Sequence, residues 1–515
     1  MSEKEYIVSL NKGVDYDRFN QEMIASTGAG DIPNRGVEVA NARPGSQRNT
    51  HYMLTDEEAI ALAKDSRVYA VELRPDLRTD IQIGRLASQI DDFTKTTESR
   101  GFFVNWGLRR INEAINPYGS LSTTTGGYNY TLDGEGVDIV IQDSGLQADH
   151  PEFNDSTGES RVQQIDWYTE SGLPGTMPAA HYTDYDGHGT HVAGIAAGAT
   201  YGWAKGARIY AVKVAGLEGD TDPNNGIPIS DCFDVITAWH NNKPVDPATG
   251  VKRPTVVNMS WGYNGLYTIP TEINYRGTSY TGAQIDTSAE LGALGLILLS
   301  TSTPGYYSCP VRIPSVDIDV QEMIDAGIHV CIAAGNNYHK ADITTGADYN
   351  NYLVNAYTGT IYYNRGSSPF SEEAHIVGNI DRAVHATLLE QKASSSTSGP
   401  AVNVYAPGTN IMSCTSTTNK FTDGPYPDDE NFRICNISGT SMASPQIAGL
   451  IALYSQINPS ATPAQARAYI DTTAKVNQIY STGSGNDYTD HRSIKDGPNR
   501  FAFNKYNSAV QLTLG

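Results

Sequence analysis

An α/β protein is what this sequence predicts, with a mostly parallel sheet, helices on both faces and a small ferredoxin-like α+β unit in front. Three observations carry the prediction. Apolar strand-like runs alternate with helical spacing along most of the chain. The leading residues carry their own short set of strands and helices. At 515 residues, the chain is also too long for one small core.

In the leading unit, residues 6–10 read as a strand, 16–25 as a helix, and 36–40 and 51–54 as two strands. Thr55-x-x-Glu58 is a capping box that opens a helix through Lys64. Residues 68–73 close the set with period-2 alternation. The order β-α-β-β-α-β is the split βαβ arrangement, which implies no function by itself. Residues 1–77 are assigned to this unit. Residues 78–105, with scattered charge and weak periodicity, are assigned to a linker.

Residues 106–515 form the main unit. Strands are expected at 137–142, 207–214, 255–260, 328–333 and 401–405, and helices at 188–199, 230–240, 320–326 and 463–474. The last central helix opens at Ser441, with Pro445 in its first turn, where a missing N–H costs nothing. Two stretches rich in Tyr, Gly, Thr and Asn, 263–314 and 338–365, read as surface insertions.

The formal charge of 36 − 57 = −21 argues against a nucleic-acid backbone as partner. No apolar run is long enough to span a membrane. The five cysteines (Cys232, Cys309, Cys331, Cys414 and Cys435) show no C-x-x-C spacing and read as reduced, with Cys414 and Cys435 the one pair considered for a disulfide. Residues 1–6 lack the basic-then-apolar pattern of a secretory leader, so a cytoplasmic location is expected.

Three short motifs carry chemistry. Asp143-Ser144-Gly145 ends a strand, Asp186-Gly187-His188-Gly189-Thr190-His191 opens a helix, and Gly439-Thr440-Ser441 opens another. In such sheets active residues gather beyond the carboxyl ends of the strands. A serine hydroxyl needs a base to take its proton, and histidine is suited to that. A carboxylate then fixes the imidazole tautomer. A serine at a helix start presents an exposed hydroxyl and an outward N–H, beside the positive end of the helix dipole. Taken singly, His188 and His191 could be metal ligands, Asp143 a turn residue and Asn336 a C-cap. None of these readings accounts for the three motifs together.

The motifs, in the order Asp, His, Ser, resemble the subtilisin-like serine peptidases (subtilases), over about residues 106–454. Asn258-Met-Ser260-Trp261-Gly262 resembles the family's substrate-binding strand, and Ala333-Ala334-Gly335-Asn336 its oxyanion segment. Ala406-Pro407-Gly408 matches another landmark, and the stretch from Trp106 to Ile111 resembles the start of many mature members. The leading unit is similar to the family's propeptide, a folding assistant and inhibitor.

This resemblance implies Ser441 as nucleophile, His188 as general base then acid, and Asp143 as its orienting carboxylate. It implies an oxyanion hole from the Asn336 amide and the Ser441 N–H. The backbone of Ser260, Trp261 and Gly262 would pair with an extended substrate, beside a pocket walled by Ala333, Ala334 and Gly335. The implied protein is a serine endopeptidase acting on polypeptides, made as a self-processing zymogen, cut within 78–105 and inhibited by its own prodomain. No cofactor is required. Calcium is a candidate structural ion, because the family often has an acid at about Glu152. Gln446-Ile447 stands where His-Val is usual, for which a packing change is expected. Neutral pocket walls predict large apolar or aromatic residues before the cut. Two other readings use the same residues or surfaces. One is a latent structural component of a larger assembly such as a virion, held through the insertions; the other is peptide ligation at the acyl-enzyme.

Overall fold

The computed structural model describes residues 3–25, 30–78, 80–85, 105–116, 130–217, 225–267, 270–300, 306–355, 359–385, 387, 389–481 and 490–506. Most of the span expected to hold a processing site lies outside them, since 79 and 86–104 are not among the described residues.

The leading unit follows the predicted order: β1 (Lys4–Leu10), α1 (Tyr16–Ala25), β2 (Val39–Asn41), β3 (Asn49–Leu54), α2 (Asp56–Leu62) and β4 (Val68–Leu73). Its antiparallel sheet runs β2-β3-β1-β4, the ferredoxin-like order. Both halves of the Thr55–Glu58 capping box are made at the start of α2. Phe19, Met23 and Leu62 from the helices meet Val8, Tyr52 and Leu54 from the sheet in an apolar cluster separate from that of the main unit.

Then follow β5 (Ile81–Arg85), α3 (Trp106–Asn112), β6 (Asp138–Asp143), α4 (Trp167–Ser171), α5 (His188–Ala197), β7 (Arg208–Lys213), α6 (Ile229–Asn242), β8 (Thr255–Met259) and β9 (Trp261–Tyr267). Next come β10 (Glu272–Tyr275), β11 (Thr278–Thr281), α7 (Ser288–Ala293), β12 (Ile297–Ser300), β13 (Tyr306–Pro310), α8 (Pro314–Asp325), β14 (His329–Ala333), β15 (Tyr352–Asn355) and β16 (Gly359–Tyr362). The last part holds β17 (His375–Val384), β18 (Glu390–Lys392), β19 (Val404–Pro407), β20 (Ile411–Thr415), β21 (Gly424–Tyr426), β22 (Asp429–Ile437), α9 (Thr440–Ile457), α10 (Pro463–Thr473), β23 (Lys475–Val476), β24 (Ile479–Tyr480) and β25 (Arg500–Phe501).

The predicted parallel sheet runs β25-β19-β17-β14-β8-β6-β7, with short antiparallel strands at its margin. Every residue of β6, β8 and β14 is buried, as expected of strands covered by helices on both faces. α5 is buried on all sides and packs along α9. Small residues allow the close approach: a Cβ at Gly449 would stand 2.9 Å from the Ala196 carbonyl oxygen and 2.5 Å from Trp203 Cβ.

Three expectations need correcting. α8 begins at Pro314, a full turn and more before the expected residue 320, because a proline is well placed at a helix start. Pro445 lies inside α9 rather than in its first turn, since the helix already begins at Thr440. The two insertions, expected as surface stretches, hold strands of their own. β10 and β11 from the first and β15 and β16 from the second form one antiparallel sheet, β11-β10-β15-β16. Ile273 and Leu353 are buried there, while most of the remaining sheet residues are at least partly exposed, so little apolar alternation showed in the sequence. The linker span also contains a strand, β5, which joins β12, β13 and β9 in another sheet. All five cysteines are buried and free, Cys414 and Cys435 included.

The leading unit meets α6 and α8 through charge. Arg43 is 1% exposed and donates to both oxygens of Asp234 at 2.8 and 3.1 Å and to Asp319 at 3.0 Å. Asn49 donates to the same Asp319 oxygen at 2.8 Å. Glu322 accepts from the Ser46 hydroxyl and the Gln47 N–H, and Glu72 accepts from the Ser315 N–H at the start of α8.

Candidate active site

β6 delivers Asp143 to the carboxyl edge of the sheet, and α5 begins there with His188. His188 Nδ1 lies 2.7 Å from Asp143 Oδ1, and both residues are fully buried. The same carboxylate oxygen accepts the Ser144 N–H at 2.8 Å. A carboxylate accepts, so Nδ1 carries the proton and Nε2 is left as the basic atom of the ring. A residue that sequence reasoning missed holds this geometry. Asp184, 1% exposed, accepts from the Gly187 N–H, the Thr190 N–H and hydroxyl, and the Ser144 hydroxyl, between 2.6 and 2.9 Å. It therefore satisfies donors at the start of α5. An acid shortly before a helix is the usual signal for such a cap, and both Asp184 and Asp186 carry it.

Ser441 is the second residue of α9. Its hydroxyl was expected to be exposed and is instead buried, donating to the Ser260 carbonyl at 2.9 Å. Ser260 Oγ donates in turn to the Ser441 carbonyl at 3.0 Å. That is the carbonyl whose helical partner would be residue 445, a proline with no N–H. Asn258 completes the link between strand and helix, donating to Ser260 Oγ and accepting from Ser444 Oγ, each at 2.8 Å.

β14 ends at Ala333, and Ala334 bonds to the neighbouring strand through Val377. Gly335 then turns at φ +109°, a conformation L side chains rarely adopt, and brings Asn336 to the start of α9. Asn336 Oδ1 accepts from the Thr440 N–H at 2.9 Å and from its hydroxyl at 3.0 Å. Thr440 Oγ1 also accepts the Gly335 N–H. Thr440, another residue not foreseen, thus fixes which end of the Asn336 amide faces the helix.

The predicted substrate strand carries a strand of this same chain. β5 runs antiparallel to β9, with Arg85 opposite Trp261 and Gly84 opposite Gly262. The Trp261 ring is buried and packs edge-on against Phe233 and Tyr263, so only its backbone serves the pairing.

Other candidates resolve into structure. His191 Nε2 lies 3.0 Å from both the Ile411 and Cys435 carbonyls, and burial pushes the ring down to about 3. Glu152 does not fit calcium: Oε1 takes the Thr200 and Tyr201 N–H groups, Oε2 takes the Tyr426 hydroxyl, and burial raises its pKa. Among the described residues, no group of three or more His, Cys, Asp or Glu could hold a metal ion. Gln446, the departure from the expected His, exchanges amide hydrogen bonds with Asn105 and accepts from Trp203 Nε1. Asn105 also caps α3.

Compared with known proteins, residues 134–497 match the family described as the subtilase family, peptidase S8. An extracellular serine proteinase of Thermus sp. (strain Rt41A) is 26% identical over 448 residues, 87% of this chain and 76% of that one. The subtilisin-like serine protease Pen c 2 of Penicillium citrinum is 28% identical over 402 residues, 78% of this chain and 65% of that protein. Alkaline serine exoprotease A of Vibrio alginolyticus is 26% identical, and the chain spans 54% of it. In fold, the chain is similar to fervidolysin from Fervidobacterium pennivorans, described as a keratinolytic enzyme related to subtilisin. The TM-score is 0.54 at 17% identity, covering 99% of this chain and 61% of that one.

Proposed function

The chain belongs to the subtilase family, and from that membership we propose that it is a serine endopeptidase, made as a zymogen that cuts itself. Ser441 attacks the peptide carbonyl and His188 Nε2 takes its proton. The Asp143 carboxylate holds the ring and stabilises the imidazolium that forms. The Ser441 N–H, unclaimed at a helix start, and the Asn336 amide receive the developing oxyanion. Acyl transfer to water completes hydrolysis and needs no cofactor.

The observation that carries the zymogen reading is β5 on β9. From Ile81 to Arg85 the strand moves along β9 from Gly265 to Trp261, toward Ser260, whose carbonyl is 2.9 Å from Ser441 Oγ. We take the bond one residue beyond this strand, Leu86–Ala87, as the cut. A leucine before the cut agrees with the apolar preference expected from the neutral pocket walls. After the cut, β5 would remain on β9 as part of a product, anchored by the charged contacts of Arg43.

The intact masses of wild type and Ser441→Ala, followed with time, test this. The wild type is expected to yield an N-terminal fragment ending at Leu86, and the variant none. Two uncut chains, neither degrading a denatured protein, would overturn the endopeptidase reading; joined peptides as the main product would replace hydrolysis by ligation.

A further inference from the structure

β9 is longer than the part that adjoins Ser441. Its distal half is held on one edge by β13, with Pro310 opposite Asn264, Cys309 opposite Gly265, Ser308 opposite Leu266 and Tyr307 opposite Tyr267. β12 and β13 both come from the first insertion. β13 occupies that edge, backed by β12, and keeps the distal half extended. The opposite edge carries the start of β5, with Gln82 opposite Asn264 and Ile81 opposite Gly265.

The Ile81 side chain is 7% exposed and belongs to the same apolar cluster as Tyr263 and Tyr267. Residues paired across antiparallel strands put their side chains on the same face. Opposite Ile81 that face has no side chain, because the partner is Gly265. A Cβ at Gly265 would stand 2.1 Å from the Tyr267 hydroxyl, so the tyrosine ring covers the space the glycine leaves. Ile81 therefore sits against an aromatic wall whose backbone is braced by the insertion.

Resting on the reading of β5 as occupant of the substrate cleft, we propose that the first insertion lengthens the substrate site. The β9 edge takes an extended polypeptide, paired from Ile81 to Arg85 in the chain's own case, so that with the cut after Leu86 the contact begins six residues before it. Gly265 and Tyr267 form an apolar subsite for the sixth. The preferred substrate is an extended, unfolded polypeptide with an aliphatic residue at that position.

The test uses the full chain after it has processed itself and four fluorogenic peptides. They are residues 81–90, residues 82–90, and 81–90 carrying Ile81→Ala or Ile81→Asp. Removing Ile81 or replacing it with Asp is expected to lower kcat/KM about tenfold or more, with the alanine peptide between. Any leading fragment still bound acts on all four peptides alike and leaves their ratios intact. Gly265→Val, which displaces Tyr267, is expected to bring the Ile-to-Asp ratio close to one. Equal kcat/KM for 81–90 and 82–90 in the wild type would overturn the subsite while leaving the peptidase standing, and this comparison needs no variant to fold. If the wild type cuts neither these peptides nor denatured protein, the endopeptidase reading falls and the subsite with it.

Discussion

The inside of each unit and the joint between them are built by opposite means. Inside, aliphatic and aromatic side chains fill a large cluster in each unit, with Val140, Ile195 and Ile447 in one and Val8, Phe19 and Leu54 in the other. Between them, the recognition is carried by Arg43 against Asp234 and Asp319, and by Glu72 and Glu322 against backbone N–H groups. Buried apolar area opposes exposure to water wherever it lies. A charged pair is different, because water restores much of what each partner loses on separation. The first construction suits parts that stay together, and the second suits a part that leaves.

The sharpest way to separate the two is at the site itself. Asp143→Asn is expected to lower kcat by about 10⁴ by disturbing the His188 tautomer, while leaving affinity for the leading unit unchanged in a titration with that fragment. Asn336→Ala is expected to cost about 10²–10³ in kcat, the usual loss for one oxyanion donor, with KM little altered. Arg43→Ala does the reverse. It leaves Asp234 and Asp319 buried without their cation, which costs about 3–5 kcal/mol, so inhibition by the leading unit weakens without change in kcat.

Acidity divides the regions more gently. Burial pushes His150 down to about 4 and His191 to about 3, below the unfolded value near 6.5. Their contribution to stability is present above about 6.5 and is lost as pH falls toward those values, so the Tm of the main unit drops on acidification. Glu72 at the joint is pushed up to about 7 by burial. Its contribution is complete below about 4.5 and is lost as pH rises through 7, so release of the leading unit speeds up with base. A joint that tightens between pH 6 and 8 would contradict this. The smallest effect expected is at the surface, where Arg18→Ala removes a helical pair with Glu22 and shifts stability by less than about 0.5 kcal/mol.

The reacting groups were legible because acyl transfer restricts both residue type and position. Asp143 at a strand end, His188 and Ser441 at helix starts and Asn336 after a strand each have few substitutes. The parallel strands were legible as apolar runs, and the leading unit by its alternation and capping box. What escaped was whatever depends on a distant partner. Ile81-Gln82-Ile83 alternates like a strand, but only β9, far along the chain, makes it one. The insertion sheet β11-β10-β15-β16 offers Ile273 and Leu353 as almost its entire buried apolar face. Arg43 looks like a surface residue until Asp234 and Asp319 are seen around it, and Glu152 looks like an ion ligand until two backbone amides claim it.

Asn105 is tied to Gln446 on the helix that bears the nucleophile, and it bonds to the Tyr201 carbonyl and caps α3 as well. The folded main unit is thereby anchored at a fixed point of its own. Once the leading unit has left, preparations whose first residue varies ahead of Asn105 will melt as a single species and differ in mass without differing in their work.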